Sequence, residues 1–209
     1  MYKIKVVSLG PGHPDYILPV AKRAIAEAEV ICCGRRHLES FDAMGKTVHI
    51  IGSGGEKLTT VMAKAAAVYP TQKTALVVSG DCGFYSLLSY ARKVIGPAHV
   101  EALPGISSLQ YLFAKISRPW QDARLMSLHG RDQDLIGALE AAGTVGVLTD
   151  DTHNTAAIAR ELLDHDFGGK VLYTGENLSY PEERITRLTV EEALTFRERG
   201  MSVVIITDE

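Results

Sequence analysis

Ile4-Lys5-Val6-Val7-Ser8-Leu9 is a short apolar run, and Gly10-Pro11-Gly12-His13-Pro14 stops it. Proline lacks the amide hydrogen that a ladder needs, and glycine takes conformations that end one, so the second stretch must be a loop. From about Ile17 to Ala28 the pattern changes, with Val20, Ala24 and Ile25 at helical spacing. Strand, glycine-rich loop and helix form an opening unit, and the rhythm then repeats. Val30 to Cys33, Thr47 to Ile51, Thr74 to Ser79 and His99 to Leu103 read as strands. Helical patterns cover about Leu58 to Val68, Phe84 to Val94 and Ser107 to Ile116.

Ser117-Arg118-Pro119-Trp120 interrupts the alternation, which then resumes. Strands are expected at Arg124 to Leu128, Val145 to Thr149, Val171 to Thr174 and Met201 to Thr207, with helices at Leu135 to Ala141, Thr155 to Leu163 and Val190 to Arg199. Glu183 to Leu188 alternates polar and apolar residues like an antiparallel strand. Such alternation implies α/β architecture with mainly parallel strands. The midpoint proline suggests two α/β lobes, 1–117 and 118–209.

The bulk composition agrees with a folded, soluble chain. Hydrophobic residues make up 46% of the 209 and charged residues 22%, which excludes disorder. A formal net charge of -3 lacks the basic excess expected of a nucleic-acid partner. Met1 to Gly10 is too short for a signal peptide, and no apolar run approaches a membrane span. Cys32, Cys33 and Cys82 form no C-x-x-C pattern and are expected as free thiols in a reducing cytoplasm, the first two packed on an apolar strand. The histidines have no metal-binding spacing, so no metal is expected.

Ligands of open α/β sheets bind beyond the carboxyl ends of the strands. The glycine-rich loops Gly10 to Gly12, Gly80 to Gly83 and Pro104-Gly105 all fall there, and together they suggest one cleft wall. Each alone could be only a tight turn. Two familiar motifs fail. The third glycine of a dinucleotide loop would fall at Asp15, after Pro14. In Gly52-Ser53-Gly54-Gly55-Glu56-Lys57-Leu58-Thr59, Glu56 and Leu58 break the phosphate-loop pattern, which leaves a mobile loop with Thr59 or Thr60 near a helix start. Asp150 and Asp151 read as caps of the helix that follows.

Three of these segments carry a specific likeness. Leu9-Gly10-Pro11-Gly12-His13-Pro14-Asp15 resembles the opening loop of the tetrapyrrole methylases, with His13 where that family usually has aspartate. Ser79-Gly80-Asp81-Cys82-Gly83-Phe84-Tyr85 resembles the family's Gly-Asp-Pro loop, with Cys82 in place of proline, and Leu103-Pro104-Gly105-Ile106-Ser107-Ser108 resembles its third segment. Gly34-Arg35-Arg36-His37-Leu38, Ile106 to Tyr111, Pro119-Trp120, Ser127-Leu128-His129-Gly130-Arg131 and Gly175-Glu176-Asn177-Leu178 are similar to the C5-methyltransferase branch that acts on cobalt-precorrin-7 or precorrin-6Y.

The resemblance implies the tetrapyrrole methylase fold: two α/β lobes with S-adenosyl-L-methionine in the cleft between them, usually as a homodimer. It implies cofactor contacts from Leu9, Gly80, Asp81, Phe84, Ser107, Ser108 and Leu148. The implied substrate is a corrin precursor rich in carboxylates, for which Arg35, Arg36, His37, His129 and Arg131 are candidate partners because arginine offers paired donors. Trp120 could pack or touch the macrocycle. A sulfonium methyl needs no protein nucleophile or metal, only alignment with the attacking carbon, so no catalytic residue is assigned. Because the chain ends at Glu209, C15 methylation and decarboxylation, often fused to this activity, are expected of a separate partner enzyme. Other readings are a relative that methylates another tetrapyrrole or RNA, and a non-catalytic cofactor-binding subunit.

Overall fold

The computed structural model describes residues 1–208, and its backbone contacts divide the chain into Met1–Ser107 and Ser108–Glu209. The division falls ahead of the expected boundary at 117/118. The helix after the third loop, α4 (Ser108–Lys115), lies against strands of the second sheet, and Leu109, Leu112 and Phe113 on it are fully buried.

The first unit has strands β1 (Ile4–Ser8), β2 (Val30–Gly34), β3 (Thr47–Ile51), β4 (Thr74–Val78) and β5 (Val100–Leu103). They form one sheet in the order β3-β2-β4-β1-β5, and every neighbouring pair is parallel. Successive strand residues face opposite sides. Val7, Ile31, Cys33 and Val77 therefore pack with Ala21, Ala24 and Ile25 of α1 (Pro19–Glu27), while Ile4, Val6, Cys32, Leu76 and Val78 pack with Val61 and Met62 of α2 (Leu58–Val68) and Ala91 of α3 (Leu88–Ile95). Adjacent Cys32 and Cys33 thus enter different cores, and burial pushes their thiols up to about 12 and about 11. Cys82 is raised too, by burial. All three thiols are free.

One segment of this unit differs from expectation. The helix expected from Phe84 starts at Leu88, because the Asp81 carboxylate accepts the Gly83 amide at 2.8 Å and holds the chain in a turn. The segment Gly52 to Thr59 folds as a turn closed by Gly52 N to Glu56 O at 2.9 Å and Glu56 N to Ile50 O at 2.8 Å, with Thr59 and Thr60 at the start of α2 as expected.

The second unit has strands β6 (Arg124–Ser127), β7 (Val145–Leu148), β8 (Val171–Glu176), β9 (Arg184–Thr189) and β10 (Ser202–Thr207), in the order β6-β7-β10-β8-β9. Helices α5 (Leu135–Ala142), α6 (Thr155–Asp164) and α7 (Val190–Ala193) share one core with these strands through Leu139, Leu162, Val190, Leu172 and Val204. Only the neighbours β6 and β7 pair in parallel; β10 is antiparallel to both β7 and β8, and β8 to β9, so β8 shares the direction of β6 and β7. The expectation of mainly parallel strands fails here. No helix separates β8 from β9, so that pair closes as a hairpin, and the chain then crosses β8 through α7 to insert β10.

α7 is one turn, not the expected run to Arg199. The residues beyond it satisfy other elements: the Arg199 amide donates to Glu176 at 2.6 Å, and Glu198 accepts the Thr155 amide at the start of α6 at 2.6 Å. That helix is capped by Asn154, whose side chain accepts the Ala157 amide at 2.9 Å, rather than by Asp150 or Asp151. Among the described residues no helix is long and apolar enough to cross a membrane.

Candidate active site

Because β4, β1 and β5 are adjacent and parallel, the loops that follow them emerge side by side. Gly10 and Gly80 exchange main-chain hydrogen bonds, N to O at 3.1 Å and 2.7 Å. Asp81 ties the third loop in, accepting the Gly105 amide at 2.9 Å on its second oxygen. The fit is tight enough to require glycine at residue 105. A Cβ there would lie 2.5 Å from the Gly80 carbonyl oxygen and 2.5 Å from the Ser8 Cβ. Beneath the loops, Ser8 donates to the Leu103 carbonyl at 2.7 Å and accepts the Cys82 amide at 2.8 Å. These bonds bring residues 10, 81 and 105 into one structure within the first unit.

Of the residues singled out from sequence, Gly80 and Asp81 lie at the centre of this knot. Phe84 follows on the same loop, half-buried, with its amide bonded to the Asp81 carbonyl at 3.2 Å. Ser107 is buried, and Ser108 opens α4. The Leu9 side chain does not face the loops but packs in the core with Val7 and Ile17, so only its main chain is presented there.

The basic residues after β2 separate. Arg35 turns to the Gly54 carbonyl at 2.6 Å. Arg36 donates to the Ser79 hydroxyl at 2.7 Å, and His37 Nε2 lies 3.2 Å from the same oxygen. Burial first, and the Arg36 charge second, lower the His37 imidazole to about 4, so it is neutral near pH 7. Arg36 and His37 thus stand against the residue just before Gly80, while Arg35 braces a neighbouring turn.

In the second unit the loops after the parallel pair β6 and β7 meet in the same manner. The His129 ring lies 3.0 Å from the Thr149 carbonyl, and the Gly130 amide donates to Asp150 at 2.8 Å. Asp150 also accepts the amides of Thr152 and His153, at 2.9 Å and 2.7 Å. These bonds hold its carboxyl well below the usual carboxylate range. Arg131 is exposed on this loop, and half-buried Leu148 ends β7 beside it. Trp120, left open by sequence, is exposed.

A model of the family described as Tetrapyrrole (Corrin/Porphyrin) Methylases matches residues 3–194. The chain belongs to the tetrapyrrole methylase family. The cobalt-precorrin-7 C(5)-methyltransferase of Salmonella typhimurium is 32% identical over 207 residues, 99% of each chain. A decarboxylating precorrin-6Y C(5,15)-methyltransferase of Sinorhizobium sp. is 31% identical over 186 residues, 88% of this chain and 44% of that one. The solved uroporphyrin-III C-methyl transferase of Thermus thermophilus, complexed with S-adenyl homocysteine, has a TM-score of 0.78 at 23% identity, covering 99% of this chain and 92% of that one.

The two departures of this methylase from its family's loops have local explanations. Cys82 stands where the motif has proline, and its amide makes the bond to Ser8 that a proline, lacking the hydrogen, could not make. His13 stands for aspartate and does the same capping work, its Nδ1 accepting the Asp15 amide at 3.2 Å ahead of the turn Pro14–Tyr16. In sequence Ser8 carried no role, Ser79 stood only as part of its loop, and Asp150 read as a helix cap, yet Asp150 joins two loops of the methylase. A serine inside the apolar run Val6-Val7-Ser8-Leu9 was the one available signal, since a hydroxyl buried on a strand must find a partner.

Proposed function

We propose that this methylase transfers the methyl group of S-adenosyl-L-methionine to C5 of a corrin precursor of the cobalt-precorrin-7 or precorrin-6Y type. The observation that carries the reading is the joining of the three glycine loops through the Gly10–Gly80 bridge and the Asp81 carboxylate. The full-length likeness to a cobalt-precorrin-7 C(5)-methyltransferase selects the substrate. When bound, S-adenosyl-L-methionine supplies a methyl already activated on a sulfonium.

The residues fit such a ligand. Asp81 spends one acceptor site of each oxygen on the Gly83 and Gly105 amides, and a carboxylate has about four. It can therefore accept ribose hydroxyls without releasing the loops. The Leu9 main chain and Gly80 bring backbone to the ligand, which glycine permits at close range. Phe84 offers an apolar face and Ser107 a hydroxyl in the first unit; Ser108 and Leu148 are the candidate contacts of the second. Arg36 and His37, tethered to Ser79, would meet substrate carboxylates, with His129 and Arg131 in the same role and Arg35 as a brace. Holding the methyl in line with the attacking carbon is the main task, since alignment alone supplies a large part of such a barrier reduction.

The reading includes a homodimer in the cytoplasm and a separate enzyme for the C15 methylation and decarboxylation that the Sinorhizobium relative's name couples to C5. The test is calorimetric titration with S-adenosylhomocysteine, together with methyl transfer to the corrin precursor. The wild type should bind and turn over, and Asp81→Ala should lose about tenfold or more in affinity, equivalent to about 1.4 kcal/mol. An Asp81→Ala protein that binds and methylates normally would overturn it.

A further inference from the structure

Five non-glycine residues among those described have positive φ: Tyr85 at 48°, Ser117 at 53°, Asp166 at 64°, Asn177 at 45° and Ser179 at 67°. Four are small or carry side chains that tolerate this region; a bulky aromatic does not. The strain at Tyr85 is imposed by its loop, which Asp81 fastens at the Gly83 amide at 2.8 Å and which closes again from Leu88 N to Cys82 O at 3.4 Å. Backbone strain of this kind clusters at ligand-handling sites. Here the residue stays 38% exposed, with its ring edge-on to Phe84, centroids 4.9 Å apart at 82°. The loop thus holds an aromatic ring outward within a few residues of Asp81.

Resting on the function proposed above, we infer that Tyr85 is a substrate-contacting residue whose ring meets an apolar face of the tetrapyrrole. The macrocycle offers a large face with conjugated stretches, and an aromatic ring packs on such a face with little side-chain entropy to lose. A second copy of the chain could also cover an exposed ring, so oligomeric state belongs in the test.

The variants are Tyr85→Gly and Tyr85→Asn, which both tolerate positive φ and remove the ring, and Tyr85→Phe, which keeps it. The full-length wild type must first methylate the corrin precursor; failure there removes the proposed function and this inference with it. With wild-type turnover established, the Gly and Asn variants should keep wild-type Tm or exceed it. They should hold S-adenosylhomocysteine affinity while KM for the precursor rises about tenfold, the scale of a lost stacking contact. Tyr85→Phe should keep the wild-type KM. Unchanged KM in the Gly and Asn variants would overturn the inference. So would a parallel fall of Tm and S-adenosylhomocysteine affinity, which would make the ring structural. A KM defect that tracks loss of a dimer in sedimentation and recovers at higher protein concentration would assign the ring to a subunit interface instead.

Discussion

The two sheets of this methylase each have five strands, yet they treat their loops differently. In the first, all strands run one way, so every loop at the carboxyl ends emerges on one edge and the loops after β1, β4 and β5 can bond to each other. In the second, β6, β7 and β8 share a direction, but the oppositely directed β10 stands between β7 and β8, and it is the loops after the neighbours β6 and β7 that join through Asp150. Glu176, at the end of β8, is buried and spent on Arg184 and the Arg199 amide, and so holds the fold. Which strands of one direction lie side by side therefore decides how many loops can join. A carboxylate fastens the loops in both units, Asp81 in the first and Asp150 in the second, and the first adds a close-packed glycine bridge between Gly10 and Gly80.

The largest effect that would test this contrast is Gly105→Ala. The new methyl has backbone on one side and the Ser8 Cβ on the other, with no flexible group to yield. A loss of about 3 kcal/mol or more in denaturant unfolding is expected, with S-adenosylhomocysteine binding lost. Gly169→Ala in the second unit, where nothing lies within 4 Å, should stay within about 0.5 kcal/mol. Equal stability of the two variants would break the comparison.

The next effect is pH-dependent and belongs to the first unit. His37 has its folded value lowered from 6.5 to about 4, so between those values the unfolded chain binds a proton that the folded one refuses. Stability is full above 6.5, falls as pH drops toward 4 and levels off below, by at most about 3 kcal/mol in all. Denaturant midpoints across that range should fall less steeply for His37→Gln.

The smallest effect sharpens the comparison from the other side. Asp150 is lowered, chiefly by the Gly130 amide and next by the His153 amide, so its contribution is intact above its ordinary 3.8 and is lost only as pH falls below that. Asp150→Asn should flatten the acid end of the profile and leave the range above 3.8 unchanged. A change in the higher range would mean the two units do not titrate in separate windows.

Much of this was legible in sequence for a physical reason: side-chain periodicity is a local property. The alternation of short apolar runs with helical spacing placed nearly every strand, and Gly10, Gly80 and Gly105 marked the loops because each follows a strand. The buried thiols at residues 32 and 33 followed from the same periodicity. Alternation also marked β9 as antiparallel, but tertiary structure alone decided that β10 runs against both β7 and β8, since direction depends on partners far along the chain. It alone turned the Leu9 side chain into the core and ended α7 early, because Glu176 claims the Arg199 amide across 23 positions. It alone joined Ser8 to Cys82 across 74 positions, and no pattern within one segment carries the position of a hydrogen-bond partner that distant.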